Sequence, residues 1–132
     1  MHGSDFGVTK DILKAGKFMP VLPDTWALGR LATDVMGDGT VLYLKTPGHT
    51  PGAASVLVRA KEAQYLFIGD TAWVTDHLHE ARRPWYVTLL FDSFPKQLVK
   101  QLNWARKLMS DCPDLKVITG HDPVHTGGTL RR

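Results

Sequence analysis

Residues 46 to 52 read T-P-G-H-T-P-G, a single histidine enclosed by two copies of the same turn-forming triplet. Proline restricts φ and glycine adopts backbone conformations closed to other residues, so turns on both sides are expected to fix the side chain of His49. The stretch continues an apolar run, T-V-L-Y-L-K-T, that predicts a β-strand. His49 is therefore expected at the rim of a sheet, directly after a strand.

Two further residues repeat this pattern of strand, glycine and metal-ligand type. Asp70 follows Y-L-F-I-G, and His121 follows L-K-V-I-T-G. A preceding glycine lets the backbone turn sharply or approach a ligand closely. Two imidazoles and a carboxylate suit zinc or a similar borderline metal. Singly, His49 is better explained as a turn histidine, Asp70 as a cap of the following segment and His121 as a surface loop residue. Together, the shared pattern favours a metal site formed by all three.

Most of the remaining sequence predicts β structure. A hairpin is expected where L-A-T-D-V-M and T-V-L-Y-L-K-T flank the turn at residues 37 to 39. Two more strands are expected at A-A-S-V-L-V-R-A and A-Q-Y-L-F-I-G, on either side of Lys61-Glu62. L-K-V-I-T-G predicts a final buried strand.

Helices are predicted at two places. The spacing of Leu98, Leu102, Ala105 and Leu108 predicts an amphipathic helix over residues 95 to 110. T-K-D-I-L-K-A-G-K predicts a short helix from Thr9 to Gly16, and Pro20 and Pro23 then predict an extended connector.

Composition limits the class of protein. A length of 132 residues allows one domain, and 43% hydrophobic with 22% charged residues is typical of a soluble globular protein. A net charge of +3, with basic residues spread along the chain, argues against nucleic-acid binding. No apolar run approaches the ~20 residues of a membrane span, and no signal peptide is recognised, which favours a cytoplasmic location without membrane contact. The single Cys112 is compatible with a reducing compartment.

The motifs T-P-G-H-T-P-G, F-I-G-D-T and I-T-G-H-D-P, in this order, resemble the second-half motifs of the metallo-β-lactamase superfamily of hydrolases. The resemblance covers roughly residues 35 to 125 and implies an α/β fold, an αβ/βα sandwich with the metal site along one edge between two sheets. It implies that His49 completes a first metal site and His121 a second. Asp70 would bridge two metals and act as the catalytic carboxylate, and the implied cofactor is zinc, as one or two ions in the complete fold.

The chain departs from this family before His49. The family's first-half motif, His-x-His-x-Asp-His, is absent, and His2 is the only earlier histidine. The chain is therefore interpreted as a single partial domain over residues 1–132, about one half of the sandwich: a mixed sheet with one or two covering helices. Residues 1–34 would be a lead-in helix and connector, and residues 35–125 the motif-bearing region. Alone it is expected to hold at most one weak zinc ion.

The segment T-D-H-L-H-E offers two more histidines. Alternate residues of an extended strand point the same way, so His77 and His79 could ligate one metal, although a loop facing solvent or substrate is favoured. Arg82 and Arg83 could pair with an anionic substrate, but a solvated pair is favoured.

Other side chains are candidates for supporting roles. Trp73, Trp85 and Tyr86 could line an apolar substrate pocket, although packing against the sheet is favoured. Asp122 could orient His121 or a neighbouring backbone group, or could equally cap a turn.

For the complete protein the resemblance implies hydrolysis of a small-molecule ester, lactone, thioester, amide or phosphoester by metal-bound hydroxide. I-T-G-H-D-P and R-P-W-Y are nearer to lactonase-like and glyoxalase-like hydrolases than to β-lactamases. The chain alone would be weakly active or inactive, and its expected partner is the missing N-terminal half or a second copy of itself. The alternative is a non-catalytic truncated remnant that serves as a folding or association module.

Overall fold

The computed structural model describes residues 22 to 122 of the chain. The helix predicted from Thr9 to Gly16 and the turn at Pro20 lie outside these residues. The described part contains six strands in one sheet, three α-helices and a short 3-10 helix at Gly69–Thr71. The strands are β1 (Thr25–Ala27), β2 (Arg30–Asp34), β3 (Val41–Lys45), β4 (Ala54–Arg59), β5 (Gln64–Phe67) and β6 (Leu115–Ile118). The helices are α1 (Thr75–Glu80), α2 (Trp85–Phe91) and α3 (Pro95–Asp111).

The strands lie in the sheet in the order β1-β2-β3-β4-β5-β6, antiparallel except for the parallel last pair. The predicted β2–β3 hairpin is confirmed, with Thr33 opposite Tyr43. The carboxylate of Asp34 accepts the N–H groups of Gly37 and Gly39 and so closes the turn. Because β3, β5 and β6 run in the same direction, their carboxyl ends meet at one edge of the sheet.

One face of the sheet is sealed by α3. Four leucines of the central strands are almost fully buried there, namely Leu42, Leu44, Leu57 and Leu66. They pack in one cluster with the four helix residues whose spacing predicted the apolar side of α3, namely Leu98, Leu102, Ala105 and Leu108. The amphipathic helix is therefore confirmed. Helix α3 has 17 residues and is the longest of the three helices in the described part of the chain; none of the three has the length and apolarity to cross a membrane.

The opposite face of the sheet is also apolar but is not sealed. The strand register aligns two rows of side chains across it. One row consists of Tyr43, Val56, Phe67 and Ile118, and the next of Val41, Val58, Tyr65 and Lys116. These side chains are half-buried or exposed, and Phe67 is 45% exposed, so the described part of the chain leaves this face open. A mixed sheet with a helix on one face is the half-sandwich that the sequence predicted.

Strand β1 was not predicted. Thr25–Ala27 pairs with Arg30–Ala32 through a tight turn, in which Leu28 and Gly29 both have positive φ. A three-residue run after Pro23 is too short to show alternation, and it lies in the region assigned to a connector.

Residues 75–80 form helix α1, so both the loop favoured for His77 and His79 and the extended strand considered for them are wrong. Residues two apart on a helix point about 200° away from each other at 3.6 residues per turn. His77 is accordingly half-buried, whereas His79 is exposed.

Candidate metal centre

The loop that carries His49 is fixed by its contact with the start of α3. A Cβ on Gly48 would lie 2.6 Å from the Cα of Leu98, so only glycine fits where the loop meets the helix. The N–H of Phe94 donates to the Gly48 carbonyl at 2.8 Å, and the N–H of Ser93 donates to the His49 carbonyl at 2.9 Å. The backbone of His49 therefore has little freedom.

Asp70 and His121 leave neighbouring parallel strands through loops that are bonded together. Gly69 has φ +50°, and the 3-10 helix that begins there carries Asp70 away from the end of β5. The N–H of His121 donates to the carbonyl of Trp73 at 2.8 Å. A Cβ on Gly120 would lie 2.9 Å from the Gly69 carbonyl oxygen and 3.0 Å from Oδ1 of Asp70, so the two loops touch at a distance that requires glycine.

These three strand ends bring the predicted ligands together in a row. Oδ2 of Asp70 lies 3.5 Å from Nε2 of His49, and Oδ1 of Asp70 lies 2.8 Å from Nε2 of His121. The exposed fractions of the His49, Asp70 and His121 side chains are 20%, 44% and 62%, so the row opens towards solvent at its His121 end.

The donor types of this row fit a zinc-type ion, because Nε2 of each imidazole faces one oxygen of the carboxylate. Nε2 of His121 donates its hydrogen to Oδ1 of Asp70 at 2.8 Å, so a metal bound there would replace that hydrogen. The number of donors does not complete a site. Within residues 22–122, no three His, Cys, Asp or Glu side chains surround a common point that could hold an ion. His49 and His121 contact opposite oxygens of Asp70, so the three side chains lie in a row and do not enclose a common point.

Two buried residues, Asp92 and Arg83, belong to the site but were not predicted as part of it. Oδ1 of Asp92 lies 3.0 Å from Nδ1 of His49 and accepts a hydrogen bond of 2.8 Å from Nη1 of Arg83. The side chains of Asp92 and Arg83 are both fully buried, so the solvated pair expected for Arg82 and Arg83 is wrong for Arg83. Burial lowers the pKa of Arg83, and the opposite charge of Asp92 counteracts that shift. Arg82 is exposed and pairs with Glu80 at 3.0 Å.

Aromatic rings lie beside the row. Trp73 makes edge contacts with both Phe91 and His121, each with ring centroids 5.7 Å apart. Trp85 and Tyr86 contact each other at 6.1 Å, and both are exposed on α2, so packing against the sheet is wrong for these two. Together α2 and the segment after it expose an apolar surface that consists of Trp85, Tyr86, Leu89, Leu90, Phe91 and Phe94.

The remaining candidates, Asp122, His77 and His79, lie in or beside helix α1. Oδ2 of the buried Asp122 accepts hydrogen bonds from the backbone N–H of Thr75 at 3.0 Å and from its hydroxyl at 2.6 Å, so Asp122 caps the first turn of the helix. Nδ1 of His77 is buried without a hydrogen-bond partner among residues 22–122. Burial, followed by the positive charge of Arg83, lowers the pKa of His77. In this part of the chain neither His77 nor His79 joins the row.

The sequence of this chain is similar to those of known proteins. The sequence profile described as the metallo-beta-lactamase superfamily matches residues 5–121. The chain belongs to this superfamily. Among curated relatives it is 37% identical over 91 residues to the N-acyl homoserine lactonase AttM of Rhizobium radiobacter, which is 68% of this chain and 32% of that protein. It is 35% identical over 91 residues to the AttM lactonase of Azorhizobium caulinodans, with the same coverage of both chains. The chain therefore spans about a third of the length of these relatives.

Two solved structures share this fold. An N-acyl homoserine lactone hydrolase with the product N-hexanoyl-L-homoserine at its catalytic metal centre has a TM-score of 0.60 and 16% identity, over 74% of this chain and 36% of that one. AidC, a dizinc quorum-quenching lactonase, has a TM-score of 0.55 and 16% identity, over 92% of this chain and 39% of that one. In both cases the likeness covers less than half of the larger protein, as expected for half of a sandwich.

Proposed function

We propose that this chain is the second half of a zinc-dependent lactone hydrolase acting on N-acyl homoserine lactones or similar small lactones. The observation that carries the proposal is the row of His49, Asp70 and His121, gathered on one carboxylate from three strand ends. The curated relatives, which align with 68% of this chain, are named as N-acyl homoserine lactonases, and this supports the substrate class.

In this proposal His49 and His121 would each present Nε2 to a metal, and Asp70 would supply an oxygen to each side. Zinc, when bound, supplies a Lewis acid for the lactone carbonyl and acidifies a bound water. Asp70 would also accept a hydrogen bond from the attacking water, since 44% of its side chain is exposed. Trp73 and Phe91 would give the substrate an apolar surface beside His121, and Trp85 and Tyr86 would extend it along α2.

The row needs a partner to become a complete site. A catalytic zinc takes about three protein ligands and keeps one open position, so this chain alone would hold at most one weak ion. The remaining ligands would come from a segment with the His-x-His-x-Asp-His motif, or from a second copy of the chain. This partner would dock on the open face of the sheet. The lone cysteine, Cys112, is a free thiol, which is compatible with a cytoplasmic setting.

The test supplies the complementary half, as a longer protein or a co-expressed fragment, and measures opening of the N-hexanoyl-L-homoserine lactone ring in the presence of zinc. Asp70→Asn keeps the shape of the side chain but removes its charge. Activity should fall at least ~100-fold, because the charge that holds the metals contributes several kcal/mol. Thermal stability should change only by the contribution of bound metal.

Asp76→Asn is the matched control, since Asp76 is an exposed acid on α1. If Asp70 were only a turn cap, Asn would replace it almost silently. Full activity with full metal occupancy in Asp70→Asn would therefore contradict the metal role.

The alternative function, a non-catalytic association module, is favoured by one observation: the chain exposes apolar residues both on the open face and on α2. Zinc content distinguishes the two. A catalytic half should take up zinc once the complementary half is present, whereas an association module should bind its partner and remain free of zinc.

A further inference from the structure

Asp92 is a buried carboxylate that touches the row of His49, Asp70 and His121. Its side chain is fully buried, and its Oδ1 contacts Nδ1 of His49 on the side away from Asp70. We propose that Asp92, anchored by Arg83, is a positioning residue that sets the tautomer of His49 and aims its Nε2 at the metal. The metal part of this inference rests on the proposed function, whereas the tautomer part does not.

Hydrogen-bond chemistry fixes the direction of the contact. A carboxylate oxygen only accepts, so the hydrogen between His49 and Asp92 belongs to Nδ1 of the imidazole. When one ring nitrogen of a neutral histidine carries the hydrogen, the other has a free lone pair. Nε2 of His49, which lies 3.5 Å from Oδ2 of Asp70, is therefore the nitrogen left free for a metal.

Arg83 explains why the carboxylate stays in place. Its Nη1 donates to the same Oδ1 at 2.8 Å, and its guanidinium carbon lies 5.0 Å from the ring centre of Trp73. The backbone helps as well, because the N–H of Ser93, next in sequence to Asp92, donates to the His49 carbonyl. Asp92 and His49 are thus linked directly through their side chains and indirectly through the backbone of Ser93.

A purely structural ion pair between Arg83 and Asp92 would also be buried, but it would place no requirement on the hydrogen of His49. The tautomer therefore separates the two roles. Nitrogen-15 NMR of the full chain without metal, at about pH 8 where imidazoles are ordinarily neutral, reports which nitrogen of each histidine carries the hydrogen. We expect His49 to carry it on Nδ1.

Two variants remove the contact. Asp92→Leu removes the acceptor with a side chain of similar size, and Arg83→Met/Asp92→Leu also removes the cation that would otherwise be buried without a partner. Replacing both members of a buried ion pair with apolar residues is often tolerated, so the double variant should fold even where the single variant does not. In either variant His49 should no longer be confined to the Nδ1–H form. His121, which touches Asp70 and not Asp92 in the described chain, should keep its tautomer and serves as the internal control.

Zinc affinity tests the consequence for the metal. Competition with a chromophoric chelator should show zinc binding about 10- to 100-fold weaker in the double variant, the usual effect of removing a partner of a ligating histidine. A matched variant, Asp111→Asn, removes an exposed acid at the end of α3 and should leave the affinity unchanged.

The outcomes are separable. A wild-type His49 with its hydrogen on Nε2, or a tautomer unaltered in the double variant, overturns the assignment of Asp92. A changed tautomer with unchanged zinc affinity overturns its positioning role. Absence of zinc binding in the wild-type chain, alone and with the complementary half, defeats the proposed function instead, and the NMR result still decides whether Asp92 sets the tautomer.

Discussion

The two faces of the sheet differ in completeness although they are built from the same strands. On the face under α3, Leu42, Leu44 and Leu57 are at most 2% exposed. On the other face, aromatic and β-branched residues stand in register, yet Phe67 remains 45% exposed. The strands carry near-continuous apolar runs, such as V-L-Y-L in β3 and V-L-V in β4, which make both faces apolar, the pattern of a sheet buried on two sides. Helix α3 covers one face, whereas residues 22–122 leave the other face uncovered.

If the covered face carries the stability of the chain, Leu102→Ala should have the largest effect. Leu102 is fully buried between α3 and the sheet, and a leucine truncated in such a place costs about 2–5 kcal/mol through lost transfer energy and the remaining cavity. Urea unfolding should show this loss. Val99→Ala, on the outer side of the same helix, should cost well under half as much, and equal losses would mean that α3 does not seal the face.

Gly48→Ala tests the point where the covered face meets the metal edge. The new Cβ would lie 2.6 Å from the Cα of Leu98, so the loop must move away from α3 at a cost of about 1–3 kcal/mol. Zinc binding should weaken too, because His49 would move with the loop.

Gly52→Ala is the control for this substitution. It lies in the second triplet of the same loop, and a Cβ there would meet nothing within 4 Å. It should leave both stability and zinc binding unchanged. Similar behaviour of the two alanine variants would show that the close contact with α3 does not hold the loop.

The open face is expected to drive association, and Phe67→Lys should weaken it. A charge in the middle of the apolar row disfavours burial against any partner, while the half-exposed position tolerates it in the free chain. Sedimentation should show wild-type dimers or larger species and a shift towards monomer in the variant. A wild-type chain that stays monomeric and binds no hydrophobic dye would contradict the half-sandwich interpretation of this face.

The smallest effect concerns His77, whose pKa is lowered first by burial and then by Arg83. As pH falls through the ordinary imidazole value of ~6.5, the unfolded chain binds a proton that the folded chain resists, so stability should decline on the acid side of that value. His77→Gln should reduce this decline in urea unfolding compared between pH 7.5 and 5.5. His79→Gln, on the exposed side of the same helix, should leave the decline in place.

Much of the sheet and the long helix could be read from local patterns. Two strand-like runs and the glycine turn at residues 37 to 39 predicted the β2–β3 hairpin, and the three- and four-residue spacing predicted which side of α3 is buried. The repeated order of strand, glycine and ligand predicted that His49, Asp70 and His121 would meet at the rim of the sheet, and the common direction of β3, β5 and β6 explains why they do. Each of these signals lies within a few consecutive residues.

The features that were missed either depend on distant partners or have a local sequence that favours another structure. Helix α1 begins where Asp122, 47 positions away, caps Thr75. Helix α2 has the sequence W-Y-V-T-L-L-F, whose aromatic and β-branched residues favour strands and show no polar side. Asp92 reaches His49 across 43 positions, and nothing in the short sequence F-D-S-F-P marks it as part of a site.

The parallel pairing of β5 and β6 has a consequence for how the chain folds. Strands β1 to β5 form successive hairpins from neighbouring residues, whereas β6 must return across α1, α2 and α3 to lie beside β5. Such non-local pairing is slow compared with hairpin formation. Asp70 and His121 are 51 positions apart, so the second imidazole should arrive only when the last strand is placed. Pulse-labelled hydrogen exchange should accordingly find the amides of β6 protected after those of β3 and β4, and an intermediate of folding would contain His49 and Asp70 but not yet a second metal position.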